Sequence, residues 1–156
     1  MKNILIATFL LLTAVVFCGE RETIRDASGK VIGTATTDGN RTVYRNASGK
    51  VTGTATTNGN KTTYRDSSGR TTGTASEYGN RTTFRDSSGK TTGTATTNGN
   101  RTTFREATGA SVGSSTSTGN RTTYRDAHGR TTGTSTTTGT GSNSNQTPPI
   151  LNPTSK

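Results

Sequence analysis

The residues best placed to do chemistry in this chain are its arginines and lysines, because they recur at a fixed spacing. Arg41, Lys61, Arg81, Arg101 and Arg121 fall twenty residues apart, and so do Arg45, Arg65, Arg85, Arg105 and Arg125. Cations repeated at a constant interval suit a repeating polyanion, such as the phosphates of lipopolysaccharide, an acidic glycan or a nucleic acid. The same charges have a plainer use, since cations on sheet faces and edges keep neighbouring chains from adding strands. The acidic residues follow a different rule. Asp26, Asp66, Asp86 and Asp126 each stand three residues before a glycine, a turn pattern in which the carboxylate bonds its own following backbone. His128 is the single histidine and replaces a serine in one such turn. Metal ligation needs a cluster of His, Cys, Asp or Glu, and none is legible in the spacing. Catalysis needs unlike polar groups converging on one place, whereas this chain spreads equal groups along its length. The expectation is a structural or binding protein with no catalytic, cofactor or metal residues.

The spacing of the cations is the spacing of a repeat. Units begin at Arg25, Arg45, Arg65, Arg85, Arg105 and Arg125, a period that marks a tandem array. Residues Arg21 to Ile24 read as the end of a preceding unit, and the sixth unit fades after Gly133 into a Ser/Thr/Asn/Gly/Pro-rich stretch. Within each unit, two turn signals alternate with two runs rich in Thr, Val, Tyr or Phe. One signal is Asp66-Ser67-Ser68-Gly69; the other is Asn58-Gly59, with Asp38-Gly39 and Asn98-Gly99 as copies, a strong two-residue hairpin signal. The fold class is therefore all-β: tandem hairpins forming an antiparallel meander or a wound array.

Alternation along the strands sorts side chains onto two faces. Centring the tight turn on Asn58-Gly59 sets Ala55 opposite Thr62 and Gly53 opposite Tyr64. In the wider hairpin it sets Tyr64 opposite Thr71 and Thr62 opposite Gly73. One face collects the aromatics Tyr44, Tyr64, Phe84, Phe104 and Tyr124 with Gly, Ala and Thr, the rings covering bare glycine backbone across the strands. The other collects Thr52, Thr54, Thr56, Thr63, Lys61 and Arg65. It is wet and cationic, with the two basic ladders roughly 13 Å apart along a strand and successive rungs roughly 9 to 10 Å apart.

Only 24% of residues are hydrophobic, and many of these sit in the first 17 positions, so the repeats have little core to share. A single-layer sheet of this kind must wind, stack its aromatic face on itself, or borrow a partner's surface. Formal charge is +10, which favours anionic partners such as a glycan, lipopolysaccharide or an acidic patch on another surface protein; self-assembly is a further expectation. The chain divides into a leader at 1–18, a repeat domain at 19–134 and a flexible tail at 135–156.

The leader has Lys2 before the apolar run Ile4 to Phe17, too short to span a bilayer and suited to a signal peptide, which implies export. Cys18, the single cysteine, follows Val15-Val16-Phe17 and precedes Gly19-Glu20. This resembles a bacterial lipoprotein box, in which the cysteine is lipidated; Phe17 stands where a small residue is usual, and cleavage after Cys18 or Gly19 is the alternative. The product is an outer-membrane lipoprotein, held to the membrane only through that anchor, or a secreted protein.

The stretches YRDSSGR and GNRTTF, residues 64–70 and 79–84, resemble the YD repeat of the RHS family. Its units run Tyr-Asp, a short turn, Gly-Arg, a variable stretch, then Gly and an aromatic. The similarity covers residues 21 to about 134, with Arg65 where the family has its tyrosine and Tyr64 one place earlier. It implies strand-and-turn geometry and a secreted or cell-surface setting, not toxin activity. The rows Thr52-Thr54-Thr56 and Thr92-Thr94-Thr96 are similar to the Thr-x-Thr ranks of β-helical ice-binding proteins, although Arg and Lys interleave with them.

Overall fold

A computed structural model describes residues 19–139. The leader, Cys18 and the tail beyond residue 139 lie outside the described residues. Twelve strands follow one another: β1 Glu20–Asp26, β2 Val31–Asp38, β3 Arg41–Asn46, β4 Val51–Asn58, β5 Lys61–Asp66, β6 Thr71–Tyr78, β7 Arg81–Asp86, β8 Thr91–Asn98, β9 Arg101–Glu106, β10 Ser111–Thr118, β11 Arg121–Asp126 and β12 Thr131–Thr138. Each pairs antiparallel with its sequence neighbours, and β12 pairs with β1, so the meander closes into a barrel. The repeated hairpins expected from the sequence are present, and their aromatic face is turned inward by closure.

The closing seam repeats the register of every tight hairpin. Thr138 pairs with Arg21, Ser135 with Ile24 and Gly133 with Asp26, as Asn58 pairs with Lys61, Ala55 with Tyr64 and Gly53 with Asp66. Strands β12 and β1 are thus the two halves of a sixth unit whose turn is open. The strand continues to Thr138, four residues past the expected end of the repeat domain at 134, because Ser135 takes the buried place that Ala55 holds in β4.

Barrel dimensions follow from the step between units. From Ala55 the pairing leads to Tyr64 and on to Gly73, two residues short of Ala75, the next unit's equivalent of Ala55. Six such steps give a shear of about twelve residues for twelve strands, which sets a strand tilt of roughly 37° and a backbone radius of roughly 10 to 11 Å.

Two turns make the hairpins. In the tight turn Gly59 has φ 58°, and among the described residues no non-glycine residue has positive φ, so the turn is of type II′ with Gly59 and Asn60 at its centre. The centre is therefore Gly-Asn and not Asn-Gly, which moves every partner in the tight hairpin by two residues. Tyr64 faces Ala55 across the tight hairpin and Gly73 across the wide one, where the sequence reading set it opposite Gly53 and Thr71. In the wide turn the Gly69 N–H donates to Asp66 O at 3.0 Å and the Asp66 N–H to Arg70 O at 2.9 Å, with Gly69 at φ 85°. A bulge follows: Tyr64 pairs with Gly73 but Arg65 with Thr71, leaving Thr72 unpaired on that side.

The core is thin. Ala35, Ala55, Ala75 and Ala95 are buried, and Tyr64 packs with Ala55 and Ala75 while Tyr44 and Phe84 lean on that cluster. Gly53 is required by space as well as by ring cover: a Cβ there would lie 2.5 Å from the Arg65 carbonyl oxygen on the adjacent strand. Inside the tight-turn end, hydroxyls pair across strands, Thr57 with Thr62 and Thr97 with Thr102, each at 2.9 Å.

Candidate functional site

Closure converts the two basic ladders into rings. Arg41, Lys61, Arg81, Arg101 and Arg121 open strands β3, β5, β7, β9 and β11 and are all exposed. Arg21, which the sequence reading assigned to no ladder, completes this ring through its pairing with Thr138. Arg45, Arg65, Arg85, Arg105 and Arg125 form a second ring, joined by Arg25. A third row lies in the wide turns, where Lys30, Lys50, Arg70, Lys90 and Arg130 stand with Ala110 as the exception. Every Lys and Arg of the chain except Lys2 and Lys156 thus belongs to one of three stacked rows around the outer face.

The rings differ in what holds them. Each second-ring arginine donates through Nη1 to the carbonyl of its own turn glycine, Arg65 to Gly69 at 3.1 Å and Arg105 to Gly109 at 2.8 Å. These guanidiniums are tied to the wide turns, Arg65 also donating to Thr71 Oγ1 at 3.0 Å. First-ring residues carry no such turn bond. Their side chains are the freer cations, Arg101 being held by a 3.4 Å contact from Nη2 to Ser114 Oγ.

The aspartates are committed to the turns that the sequence assigned them. Asp66 Oδ1 accepts from Ser68 Oγ at 2.7 Å and from the Ser68 and Arg70 N–H groups at 2.9 Å. Those bonds, the serine hydroxyl foremost, hold the Asp66 carboxyl below its usual value. Asp26 and Asp86 repeat the arrangement. Asp126 differs in that the Arg130 N–H leads, assisted by an ion pair to Arg130 Nε at 2.9 Å. His128 sits in this turn and donates its backbone N–H to Asp126 Oδ1.

One acid was missed by sequence reasoning. Glu22 occupies in β1 the inward place that Thr62 holds in β5. Burial raises its carboxyl, an effect that hydrogen bonds to Ser135 and Tyr124 oppose. Tyr124 Oη lies 3.2 Å from Ser135 Oγ, so carboxyl, phenol and hydroxyl form one cluster on the inner side of the seam. Burial with the Glu22 charge pushes Tyr44 up to about 12. Recognising β1 as a strand in register with the repeats would have placed Glu22 inside.

Most outward positions on these short strands are Thr, Arg and Lys, with Val31, Ile32, Val43, Val51 and Val112 as scattered apolar exceptions and not the continuous apolar band of a barrel immersed in lipid. Among the described residues no helix is long and apolar enough to cross a membrane. Comparison with protein families, characterised proteins and solved structures finds no match.

Proposed function

We propose that the protein is an exported, non-catalytic interaction module of the cell surface whose cationic rings bind an acidic glycan, lipopolysaccharide included. The observation that carries this reading is the separation of charge. Cations stand outward in stacked rows, while Asp26, Asp66, Asp86 and Asp126 are tied into turns and Glu22 lies inside. Of the other four acids, Glu106 is the turn acid of its unit, and exposed Asp38 pairs in register with Arg41, so that an acid stands beside the first ring there. Closure also weakens the plainer explanation, because a barrel has no unpaired edge for cations to protect. The resemblance to YD repeats, with its cell-surface setting, points the same way. The leader supports export, and lipidation of Cys18 is the proposed route to anchorage.

Ice binding is the weaker reading. Thr52 and Thr92 are bulge residues, so they drop out of the Thr-x-Thr rows, and a surface of roughly 10 Å radius is curved where an ice plane is flat. The test is affinity for heparin and for lipopolysaccharide across a salt series. Lys61→Gln and Arg81→Gln, in the ring without turn bonds, should each weaken binding and lower the salt slope by about one, because one fewer counterion is released. Binding that ignores both salt and these substitutions would refute the reading.

A further inference from the structure

The outer face is not equal all round. A groove of ≈ 350 Å³ opens between β9, β10 and the turn after β11, bordered by Arg101, Arg125, Thr103, Ser111 and Ser114. Its origin is a local departure from the repeat. Ser114 stands where the other units have Thr34, Thr54, Thr74, Thr94 and Thr134; Ser111 replaces Val31, Val51, Thr71, Thr91 and Thr131; and Ala110 replaces a Lys or Arg in every other unit. Each change shortens a side chain, and the two serines border the same opening.

The cations remain and converge. Ser114 is 8% exposed and forms the base of the groove. Across it lie Thr103 on one side and Arg125 on the other. Arg101 reaches over diagonally to its hydroxyl, and Arg125 is braced by its 2.9 Å bond to Gly129 O. Asp126 also borders the groove, but its carboxylate accepts from the His128 and Arg130 N–H groups and pairs with Arg130 Nε. What faces an incoming group is two guanidiniums over small hydroxyls, in a volume within the range of ligand sites.

Building on the glycan reading above, we propose that this groove is a selective subsite for one anionic sugar unit. Its carboxylate or sulfate sits between Arg101 and Arg125, and its hydroxyls meet Ser111, Thr103 and Ser114. The rings would then gather the polymer, and the fifth unit would fix its register.

The probe is a heparin-derived disaccharide, titrated calorimetrically beside full-length heparin. Arg101→Gln should weaken disaccharide binding about tenfold, the scale of one charge-assisted hydrogen bond. The double substitution Ser111→Thr and Ser114→Thr, which restores the ordinary repeat and changes no charge, should weaken it as much. Arg81→Gln, the ring equivalent two strands away, should leave disaccharide affinity unchanged while lowering heparin affinity. Circular dichroism of each variant checks the fold. Equal losses from Arg81→Gln and Arg101→Gln, or unchanged affinity in the double serine variant, would overturn the subsite. Absence of disaccharide binding would do the same even if heparin still binds with a strong salt slope, in which case the rings stand alone. Loss of heparin binding with disaccharide binding intact would support the groove and remove the ring reading.

Discussion

If β12 and β1 are one hairpin with an open turn, joining their ends should stabilise the barrel by an amount set by chain length alone. Gly139 and Glu20 occupy the places of Gly59 and Asn60 in the seam register. A Cβ built on Gly139 would lie 3.1 Å from Glu20 Cα, so the ends meet where the sixth turn belongs. Gly139 has φ 149°, against 58° at Gly59, a change that glycine makes at little cost. The linear chain must close the whole span of residues 20–139 to form the seam. Removing that closure entropy from the unfolded state by a peptide bond from Gly139 to Glu20 is worth about 5 kcal/mol at this length. Guanidinium unfolding of linear and cyclised 20–139 measures the difference. A permutant that joins Gly139 to Glu20 and opens the chain between Gly59 and Asn60 should match the linear parent to within about 1 kcal/mol, because it moves the gap to an equivalent turn. Cyclisation without gain, or a permutant that fails to fold, would refute closure in this register.

Three further outcomes are expected. Tyr64→Ala should cost about 3 to 5 kcal/mol and Tyr78→Ala, at a site 87% exposed, less than about 0.5; because Phe84 packs against the Tyr64 cluster, Tyr64→Ala with Phe84→Ala should depart from additivity. Gly93→Asn should cost at least about 1 to 3 kcal/mol, since its Cβ would lie 2.5 Å from the Arg105 carbonyl, whereas Gly89→Asn should cost less, because nothing lies within 4 Å and Asn tolerates its φ of 88°; thermal unfolding ranks the two. Glu22→Gln should match the parent below pH 4.5 and exceed it in stability as pH rises through the raised folded pKa, because burial favours the protonated acid; the Asp66-type turns act oppositely, their contribution present above pH 3.8 and lost as pH falls through their lowered folded values. A pH-independent difference between Glu22→Gln and the parent would place Glu22 outside the barrel.

The two faces were legible in the sequence even though the pairs were not, and the reason is parity. Moving the turn centre from Asn58-Gly59 to Gly59-Asn60 shifts each partner in the tight hairpin by two residues, which leaves its side chains on their faces, whereas a slip of one exchanges them. The bulge of the wide hairpin is such a slip, and it sets Thr71 outward beside Arg65 and not beside Tyr64. The correct centre was available. Gly-Asn is identical in all five tight turns, at 39, 59, 79, 99 and 119, while the residue before it runs Asp38, Asn58, Tyr78, Asn98 and Thr118. The preference for Asn-Gly as a turn signal outweighed that constancy. Closure was less legible because no local residue announces it. Its trace was arithmetic: the fragment Arg21 to Ile24 and the run after Arg130 are two halves of one unit. Ser-rich composition beyond Gly133 looked like a tail, but Ser135 fills the place of a buried alanine at 2% exposure.

Repetition has a physical reason in a chain with so few apolar residues. A barrel closes only if the accumulated register step brings the last strand to the first in a pairing that buries the same face, and here six equal steps do so. The positions that set the step are the least varied. Gly33, Gly53, Gly73, Gly93, Gly113 and Gly133 make room for a neighbouring carbonyl, and the tight-turn Asn carbonyl accepts from the following unit, as Asn60 does from the Glu77 N–H at 2.9 Å. Substitutions gather where neither constraint applies: at the turn flank, as in Tyr78, and on the outer face of the fifth unit, as in Ser111 and Ser114. One unit with a longer step would leave β12 out of register with β1, exposing both edges and the aromatic interior together. Closure therefore limits inner-face variation to groups that fit inside, as Ser115 and Ser135 do in place of alanine and Glu22 in place of threonine, and leaves the outward surface as the place where side chains change without moving the strands.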